Sequence, residues 1–440
     1  MSDRVPLTHR SIFAIAVPVM ISNVTTPLLG VVDTGVVGRI GDPAYIGTVA
    51  LGALVFTFLF WAFSFLRMGT TGLTAQAHGA GDADELRAVL GRALLIALAA
   101  GLVLIVLQRP IREAAFAFLD GSERVESLAR SYFDIRVWAA PVTLANYALL
   151  GWFIGLGRTD LGLVLQLLLN VTNIVLDALF VLGFGWDVRG VALGTLLAEA
   201  AAAGAGLAIA AREMRRLGGT SSRERLLDPA RLRRMLTVNV DIMVRTLALL
   251  AVFVWFNAES ARQGDVVLAA NAVLLQFISV AAFFLDGLAF ATETLVGRAV
   301  GAAHRTGLVV ATRMTTAWAF GIAVVISSGL AVLGPALIDL LTVDASTRAA
   351  ARTYLPWAAL APLLGVWAFQ LDGIFIGATR TVDMRNAMLA SLGIFVGAWW
   401  LLRGHGNHGL WAAFYVHYFA RVGSLAYFYP RLVRSVPASG

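Results

Sequence analysis

The sequence has 440 residues, of which 59% are hydrophobic and 14% are charged, and its mean hydropathy is +0.78. This composition excludes an ordinary water-soluble domain. There is no cysteine, which excludes structural disulfides and thiolate chemistry. The 34 basic residues, all of them arginine, outnumber the 27 acidic residues by seven. Such an excess accompanies either nucleic-acid binding or a membrane topology signal.

Twelve apolar runs follow one another along the chain, each long enough to cross a bilayer as a helix. Six lie near residues 11–38, 45–75, 86–107, 128–154, 160–182 and 190–211, and six near 234–258, 266–297, 307–334, 351–377, 384–402 and 409–429. Because the runs are continuously apolar, helices are favoured over barrel strands. The first run is too long for a signal-peptide core, so we expect it to remain as a membrane anchor. The sequence therefore predicts an all-α polytopic membrane protein with two lobes of six helices.

The most polar stretch lies between the two sets of runs. Residues 212–234 contain eight arginines together with glycine and serine, which predicts an inter-lobe linker. The predicted divisions are an N-terminus (1–10), a first lobe (11–213), the basic linker (214–232), a second lobe (233–430) and a C-terminus (431–440). If the linker is cytoplasmic, both termini are cytoplasmic too, and most arginines fall on that side. Topology and contact with lipid headgroups therefore explain the basic charge better than nucleic acid, since no aromatic-basic module accompanies it.

An internal repeat supports the two-lobe organisation. The string GWFIGLGRT from Gly151 and the string GIFIGATRT from Gly373 are identical at six of nine positions, at an offset of 222 residues. The same offset aligns AQAHGAGD from Ala75 with GRAVGAAH from Gly297. We infer a duplicated six-helix unit. Since six is even, both copies enter the membrane from the same side, and two lobes facing each other across a central cavity are expected.

The fifth run carries a polar stripe. Gln166, Asn170, Asn173 and Asp177 recur at intervals of four, three and four residues and therefore share one helical face. Such a face cannot contact lipid. A carboxylate with amide oxygens can accept a hard cation such as sodium, and a buried carboxylate can hold a proton. Asp33, late in the first run, could join this group. The alternative is a hydrogen-bond network that only holds helices together.

The repeat helps to weigh these alternatives. The 222-residue offset pairs Asp33 with Trp255 and Asp177 with Trp399, so the polar set exists in the first lobe alone. A packing requirement common to both six-helix units would appear in both copies. The asymmetry therefore favours a specialised role over structural hydrogen bonding.

Five further ionisable residues lie inside predicted helices of the second lobe: Asp241, Arg245, Asp286, Glu293 and Asp372. Asp241 and Arg245 are four residues apart, and we favour a local ion pair between them over ligand binding. Asp286 and Glu293 share one helical face, and Asp372 precedes the repeated motif, so that these carboxylates could line the central cavity. Glu199 and Arg421, near the ends of their runs, could instead snorkel or pair at an interface.

The chain resembles the multidrug and toxic compound extrusion (MATE) family over essentially its whole length. The similarity rests on VDTGVVGRIG ending the first run, QAHGAGD after the second, and GLGRT followed by LNVTNIVLD. The strings VVDTG, NVDIMVRTLAL and LDGIFIGATRT are similar to its DinF-like branch. The resemblance implies a monomeric secondary antiporter of the inner membrane, without enzymatic activity or cofactor. Such a protein exports organic, often cationic and amphipathic, compounds by alternating access while protons or sodium ions enter.

The resemblance also implies site residues. The family's first-lobe cation site uses an aspartate in helix one, an asparagine and an aspartate four apart in helix five, and a threonine in helix six. These positions fall on Asp33, Asn173, Asp177 and Thr195, and all four residue types match. A second-lobe site of the family is matched only loosely. The candidate residues for the substrate cavity or for that second site are Asn170, Asp372, Asp286, Glu293, Asp241 and Arg245.

Three alternative classes are left open by the sequence. A lipid-linked oligosaccharide flippase of the same superfamily needs an arginine-rich cavity, which Arg67, Arg136 and Arg245 could supply. A major-facilitator transporter also has six plus six helices, but its usual basic loop after the second helix is missing here. A membrane enzyme needs a catalytic cluster, and no zinc spacing, nucleophile elbow, Walker loop or dinucleotide fingerprint occurs. The residues suit proton and sodium coupling equally.

Overall fold

The structure, a computed structural model, describes residues 7–118, 122–220 and 222–437. All regular secondary structure in these ranges is helical. Eleven helical stretches are long and apolar enough to cross a membrane, and the last of them, Thr381–Ser435, contains two helices separated by the turn Arg403–His405. The described ranges thus contain twelve crossings, as the apolar runs predict.

The first six crossings are built from eight helices, because two of the crossings are interrupted, and a ninth helix lies outside the crossings. The helices are α1 (His9–Gly38), α2 (Pro43–Ala62), α3 (Phe65–Ala80), α4 (Ala83–Val106), α5 (Gln108–Phe118), α6 (Glu123–Arg136), α7 (Ala140–Gly155), α8 (Thr159–Asp177) and α9 (Asp187–Leu217). The pairs α2–α3 and α6–α7 each form one crossing. A 3₁₀ turn, Val137–Ala139, separates α6 from α7, and α8 continues into a π-helical turn, Ala178–Gly183. The sequence did not predict α5.

Apart from a first one of only four residues, the remaining helices are longer and more continuous. They are α10 (Arg223–Leu226), α11 (Pro229–Arg262), α12 (Asp265–Gly301), α13 (Arg305–Leu341), α14 (Ala345–Gly377), α15 (Thr381–Leu402) and α16 (Gly406–Ser435). Proline lies inside α13, α14 and α16 without ending them. Within a membrane bundle, the backbone groups freed by a proline are satisfied by neighbouring groups, which explains why these helices persist.

Two compact units divide the chain. The N-terminal unit contains Ile21–His78 and Asp82–Met235, and the C-terminal unit contains Met1–Met20, Gly79–Gly81 and Leu236–Gly440. The core of the N-terminal unit surrounds Trp152, whose indole N–H donates to the carbonyl oxygen of Leu86 at 3.0 Å. The core of the C-terminal unit contains aromatic rings from α11 and α16, among them Phe256 packed edge-on against Trp411. Edge-to-face pairs of this kind stabilise a core beyond the area that they bury.

The basic linker is attached to the N-terminal unit by ion pairs. Arg225 donates to Asp82 at 2.8 Å, and Arg231 pairs with Glu85. The backbone N–H of Thr220 donates to Asp84 at 2.6 Å. The acidic first turn of α4 therefore holds the linker. Part of the linker's arginine content serves this attachment.

The repeated glycine motif makes the same helix contact in both units. A Cβ built on Gly151 would lie 2.3 Å from the carbonyl oxygen of Arg67, and one on Gly155 would lie 2.7 Å from that of Thr71. A Cβ built on Gly373 would lie 2.5 Å from the carbonyl oxygen of Ala289, and one on Gly377 would lie 2.3 Å from that of Glu293. All four pairs are related by the offset of 222 residues. The duplication is thus present in the packing as well as in the sequence.

We expect Gly151→Ala and Gly373→Ala to destabilise the protein by about 1–3 kcal/mol each, because the new methyl group must displace backbone of the facing helix. Gly321→Ala is the control, since no atom lies within 4 Å of its Cβ position on α13. The thermal unfolding midpoint of purified protein in detergent measures the effect. Equal midpoints for all three variants would show that the glycine contacts do not constrain the packing.

Candidate functional site

Four polar residues of the N-terminal unit meet where α1, α8 and α9 pack together. Asn173 and Asp177 have no exposed surface, and Asp33 and Thr195 are also buried. The carboxyl groups of Asp33 and Asp177 lie close enough to interact with each other. The side-chain N–H of Asn173 donates to the hydroxyl oxygen of Thr195 at 3.1 Å. The geometry therefore joins the residues of the predicted site into one cluster.

The backbone of α9 positions this cluster closely. The hydroxyl of Thr195 donates to the carbonyl oxygen of Val191 at 2.9 Å, which leaves its oxygen free to accept from Asn173. A Cβ built on Gly194 would lie 2.1 Å from the Oδ1 atom of Asp177. Only glycine admits this carboxylate so close to the helix. Gly194 is not among the predicted site residues, although its place beside Thr195 could have drawn attention to it.

Several oxygens of the cluster have no hydrogen-bond donor among the described residues. They are Oδ1 of Asp33, Oδ1 of Asn173 and both carboxylate oxygens of Asp177, and all are buried. Buried acceptors are nearly always satisfied in proteins, because desolvating them without a partner is costly. A proton held between the two carboxyl groups, or a hard cation coordinated by these oxygens, would satisfy them.

The rest of the polar stripe has a different role. The amide of Gln166 donates to Oδ1 of Asn170 at 2.9 Å, and the amide of Asn170 donates to the carbonyl oxygen of Thr25 at 3.3 Å. These two residues thus join α8 to α1 by ordinary hydrogen bonds. Asp177, in contrast, is the last residue of α8 before the π-helical turn, a type of irregularity that is frequent at functional sites.

A buried ion pair lies beside the cluster. Arg136, at the end of α6, donates to Glu199 at 2.5 Å, and less than a tenth of either side chain is exposed. The hydroxyl of Thr143 also donates to Glu199. Glu199 follows Thr195 by four residues on α9 and so shares its face. Of the two outcomes that the sequence left open for Glu199, snorkelling and pairing, the structure shows pairing, because buried Arg136 binds it inside the bundle.

The predicted local ion pair in the second lobe does not form. Asp241 accepts from Arg385 at 2.6 Å and from the hydroxyl of Thr381 at 2.9 Å, both in the first turns of α15. Arg245 instead donates to Asp372. A buried carboxylate gains most from several directed donors, and the start of α15 offers them to Asp241. The prediction of an Asp241–Arg245 pair is therefore wrong.

Asp372 accepts from two arginines, Arg245 and Arg421, and all three side chains are buried. The charge of Arg421 also interacts with Asp286. The C-terminal unit thus brings Arg245 and Asp372 together. Arg421 does not snorkel, because it is enclosed among these groups.

Asp241 and Glu293 are the remaining two candidates of the second lobe. Asp241 binds the start of α15, whereas Glu293 is buried on α12, where α14 passes at Gly377.

Gly194→Ala tests the cluster's geometry. The methyl group must push Asp177 away from α9 and from Asp33, and we expect a loss of about 1–3 kcal/mol in stability. Protons or sodium should raise the unfolding midpoint of the native protein, since a bound ligand stabilises the folded state that binds it. We expect this rise to be smaller in the variant. Gly204→Ala on the same helix is the control, because no atom lies within 4 Å of its Cβ position. If both variants respond to pH and sodium as the native protein does, Gly194 has no part in cation binding.

Comparison with known proteins identifies relatives that cover most of the chain. The family profile described as MatE matches residues 18–179 and 242–398. The DNA damage-inducible protein F of Escherichia coli (strain K12) is 38% identical over 419 residues, which is 95% of this chain and 91% of that protein. The multidrug export protein MepA of Staphylococcus aureus (strain bovine RF122 / ET3-1) is 24% identical over 188 residues, 43% of this chain and 42% of that protein.

Among solved structures, the chain is similar to the one described as the crystal structure of MATE in the bent conformation. The TM-score is 0.86 at 20% sequence identity, and the match covers 97% of this chain and 96% of that one. At this level of identity the match establishes the fold. It confirms the predicted class of twelve helices in two lobes.

Proposed function

The chain belongs to the MatE family of multidrug and toxic compound transporters, and from this premise we propose that it is a secondary antiporter. It exports organic, often cationic and amphipathic, compounds in exchange for protons or sodium ions by alternating access. As a transporter it is not an enzyme, and members of the family need no cofactor. The observation that supports the coupling most directly is the buried pair of carboxyl groups, Asp33 and Asp177, with oxygens that lack donors among the described residues.

Each residue of the cluster has a stated part in this proposal. Asp33 and Asp177 take up a proton, or with the Asn173 oxygen coordinate a sodium ion. Thr195 accepts from the Asn173 amide and so fixes the orientation of the Asn173 side chain. Two buried carboxylates cannot both stay charged without a counter-charge, because burial penalises each charge and they repel each other. Cation binding therefore changes the stability of the local arrangement, which is the requirement for coupling.

The driving force comes from the membrane. One positive charge moving down a potential of 100 mV releases about 2.3 kcal/mol. That energy can drive a substrate outward only if cation and substrate favour opposite conformations. In this proposal, cation uptake at Asp33 and Asp177 lowers the first lobe's affinity for the substrate. Asn170 and the charged residues of the second lobe are candidates for the substrate cavity.

The membrane context follows from the arginine distribution. We propose that the protein is a monomer in the inner membrane, with the linker and both termini on the cytoplasmic side. In this proposal the two lobes comprise residues 11–213 and 233–430. Its partners are small organic substrates and the lipid bilayer, and no nucleic acid is involved.

The second candidate, a lipid-linked oligosaccharide flippase, receives less support. Its cavity needs arginines available to a diphosphate. Arg136 is bound to buried Glu199 and Arg245 to buried Asp372, so each already has an acidic partner within the protein. Arginines engaged in this way are poorly placed to bind a phosphorylated lipid.

Reconstitution in liposomes tests the proposed function. With an ethidium-like cation as probe, we expect the probe to move against its own concentration gradient when a proton or a sodium gradient is imposed. Applying the proton gradient and the sodium gradient separately identifies the coupling ion. Asp33→Asn and Asp177→Asn should each reduce gradient-driven transport at least about tenfold, because neither amide can take up a cation's charge. Asp160→Asn on α8 is the control, since that carboxylate is half exposed and paired with Arg158. Transport that is insensitive to both gradients, or unchanged in both variants, would disprove coupling at this site.

A further inference from the structure

A cavity of about 480 Å³ lies in the N-terminal unit, between the first turns of α4, the last turns of α9 and the linker helix α10. We call it the linker cavity. Its walls are largely apolar and include Leu90 and Leu94 of α4, Leu207 and Met214 of α9, and Leu226 of α10. Cavities of about 300–1,000 Å³ with apolar walls and a few polar groups are typical of ligand sites. The described residues that line it include none of the cation cluster, so the cavity is a separate site.

The linker cavity lies where two crossings reach the water. The apolar run 86–107 begins there, the run 190–211 ends there, and an arginine follows the second run at once. The apolar wall also continues along the crossings. Leu207 is 45% exposed, and Leu98, which is 50% exposed, lies one turn from Leu94 on the same face of α4. The wall thus extends from the charged ends of the helices toward the depth of the acyl chains.

Two arginines at the linker cavity have no acidic partner among the described residues. Arg87 on α4 donates through Nε to the carbonyl oxygen of Gly218 at 2.8 Å and through Nη2 to that of Met214 at 2.7 Å. These bonds hold the guanidinium at the end of α9, and its Nη1 has no acceptor in the described ranges. The side chain of Arg223 on α10 is exposed and forms no hydrogen bond or ion pair with a described residue. Both positive charges are therefore available to a ligand.

The acid that lines the linker cavity, Asp84, is already engaged. It accepts from the backbone N–H of Thr220 at 2.6 Å and from the hydroxyl of Thr220 at 3.4 Å, and it lies 3.9 Å from Arg225. The linker thus compensates the charge of Asp84. The polar edge of the cavity consequently favours an anion over a cation.

We propose that the linker cavity binds an anionic phospholipid from the leaflet beside the linker. An acyl chain lies against the leucines, and the phosphate accepts from Arg223 and from Nη1 of Arg87. A free inorganic anion would leave the apolar walls uncovered, whereas a phospholipid covers them and satisfies the arginines together. Because α10, α4 and α9 all line the cavity, the bound lipid also strengthens the attachment of the linker to the N-terminal unit.

Lipid binding to the purified protein in detergent tests the proposal, with native mass spectrometry as the measurement. Dioleoyl phosphatidylglycerol is the anionic probe, and dioleoyl phosphatidylcholine has the same acyl chains without the net charge. We expect phosphatidylglycerol to bind at least about tenfold more tightly and to raise the thermal unfolding midpoint. Equal binding of the two lipids would overturn the inference. So would displacement of phosphatidylglycerol by an equal concentration of ethidium, because the site would then be one for organic cations.

Arg223→Gln tests the polar edge of the linker cavity. We expect about fivefold weaker binding of phosphatidylglycerol, because the variant loses one positive charge beside the phosphate. Arg215→Gln is the matched control, since Arg215 is another exposed arginine of the linker and does not line the cavity. Equal losses in the two variants would show diffuse attraction to the linker's charge and would contradict a defined site.

Ala211→Phe tests the apolar part without changing any charge. Ala211 lines the linker cavity from α9, and a phenyl ring there takes the space of the acyl chain, so binding should weaken at least about tenfold. Ala208→Phe is the control, because Ala208 is exposed on the same helix and does not line the cavity. Since Ala211 is exposed as well, both variants should fold, and their unfolding midpoints without lipid check this. Native affinity in Ala211→Phe would overturn the inference, whatever the coupling ion of transport is.

Discussion

The cost of burying a carboxylate inside a membrane protein governs the polar structure of this chain. In low dielectric an ionised carboxylate is tolerated only beside a cation or several donors. Most buried acids in the described residues meet this requirement through a fixed arginine: Glu199 with Arg136, Asp241 with Arg385, and Asp372 with Arg245 and Arg421. Asp33 and Asp177 differ because they face each other. Under the proposed function, their compensation comes from an ion that can leave.

Irregular backbone places these groups. Arg136 and Asp177 each stand at the end of a helix within a crossing, one before a 3₁₀ turn and the other before a π-helical turn. Such breaks redirect side chains and loosen the helix locally. Glu199, Thr195 and the neighbouring Gly194 lie on the uninterrupted helix α9 instead. The regular helix α9 therefore presents fixed partners to Arg136 and Asp177, which lie where the α-helical backbone is interrupted.

The fold could be predicted in detail and the site only in part, for a physical reason. Apolar runs and the 222-residue offset are properties of contiguous sequence, and the offset even relates the contacts of Gly151 and Gly373. Asn173 and Asp177 were found because helical periodicity puts them on one face. The Asp241–Arg245 pair was predicted wrongly by the same local rule, because Arg385 is a stronger partner that lies 144 residues away. Arg136 and Glu199, 63 residues apart, share no periodicity at all.

Duplication explains how one lobe can specialise. Both units keep the glycine contacts that the six-helix framework needs, so the framework does not depend on their charges. In the C-terminal unit, two arginines are bound to Asp372, and a positive charge is permanently present beside that carboxylate. In the N-terminal unit, Arg136 is bound to Glu199, whereas both carboxylate oxygens of Asp177 lack a hydrogen-bond donor among the described residues. The two lobes thus use one scaffold with different charge balances, and the unit with the deficit is the one where a mobile cation has something to neutralise.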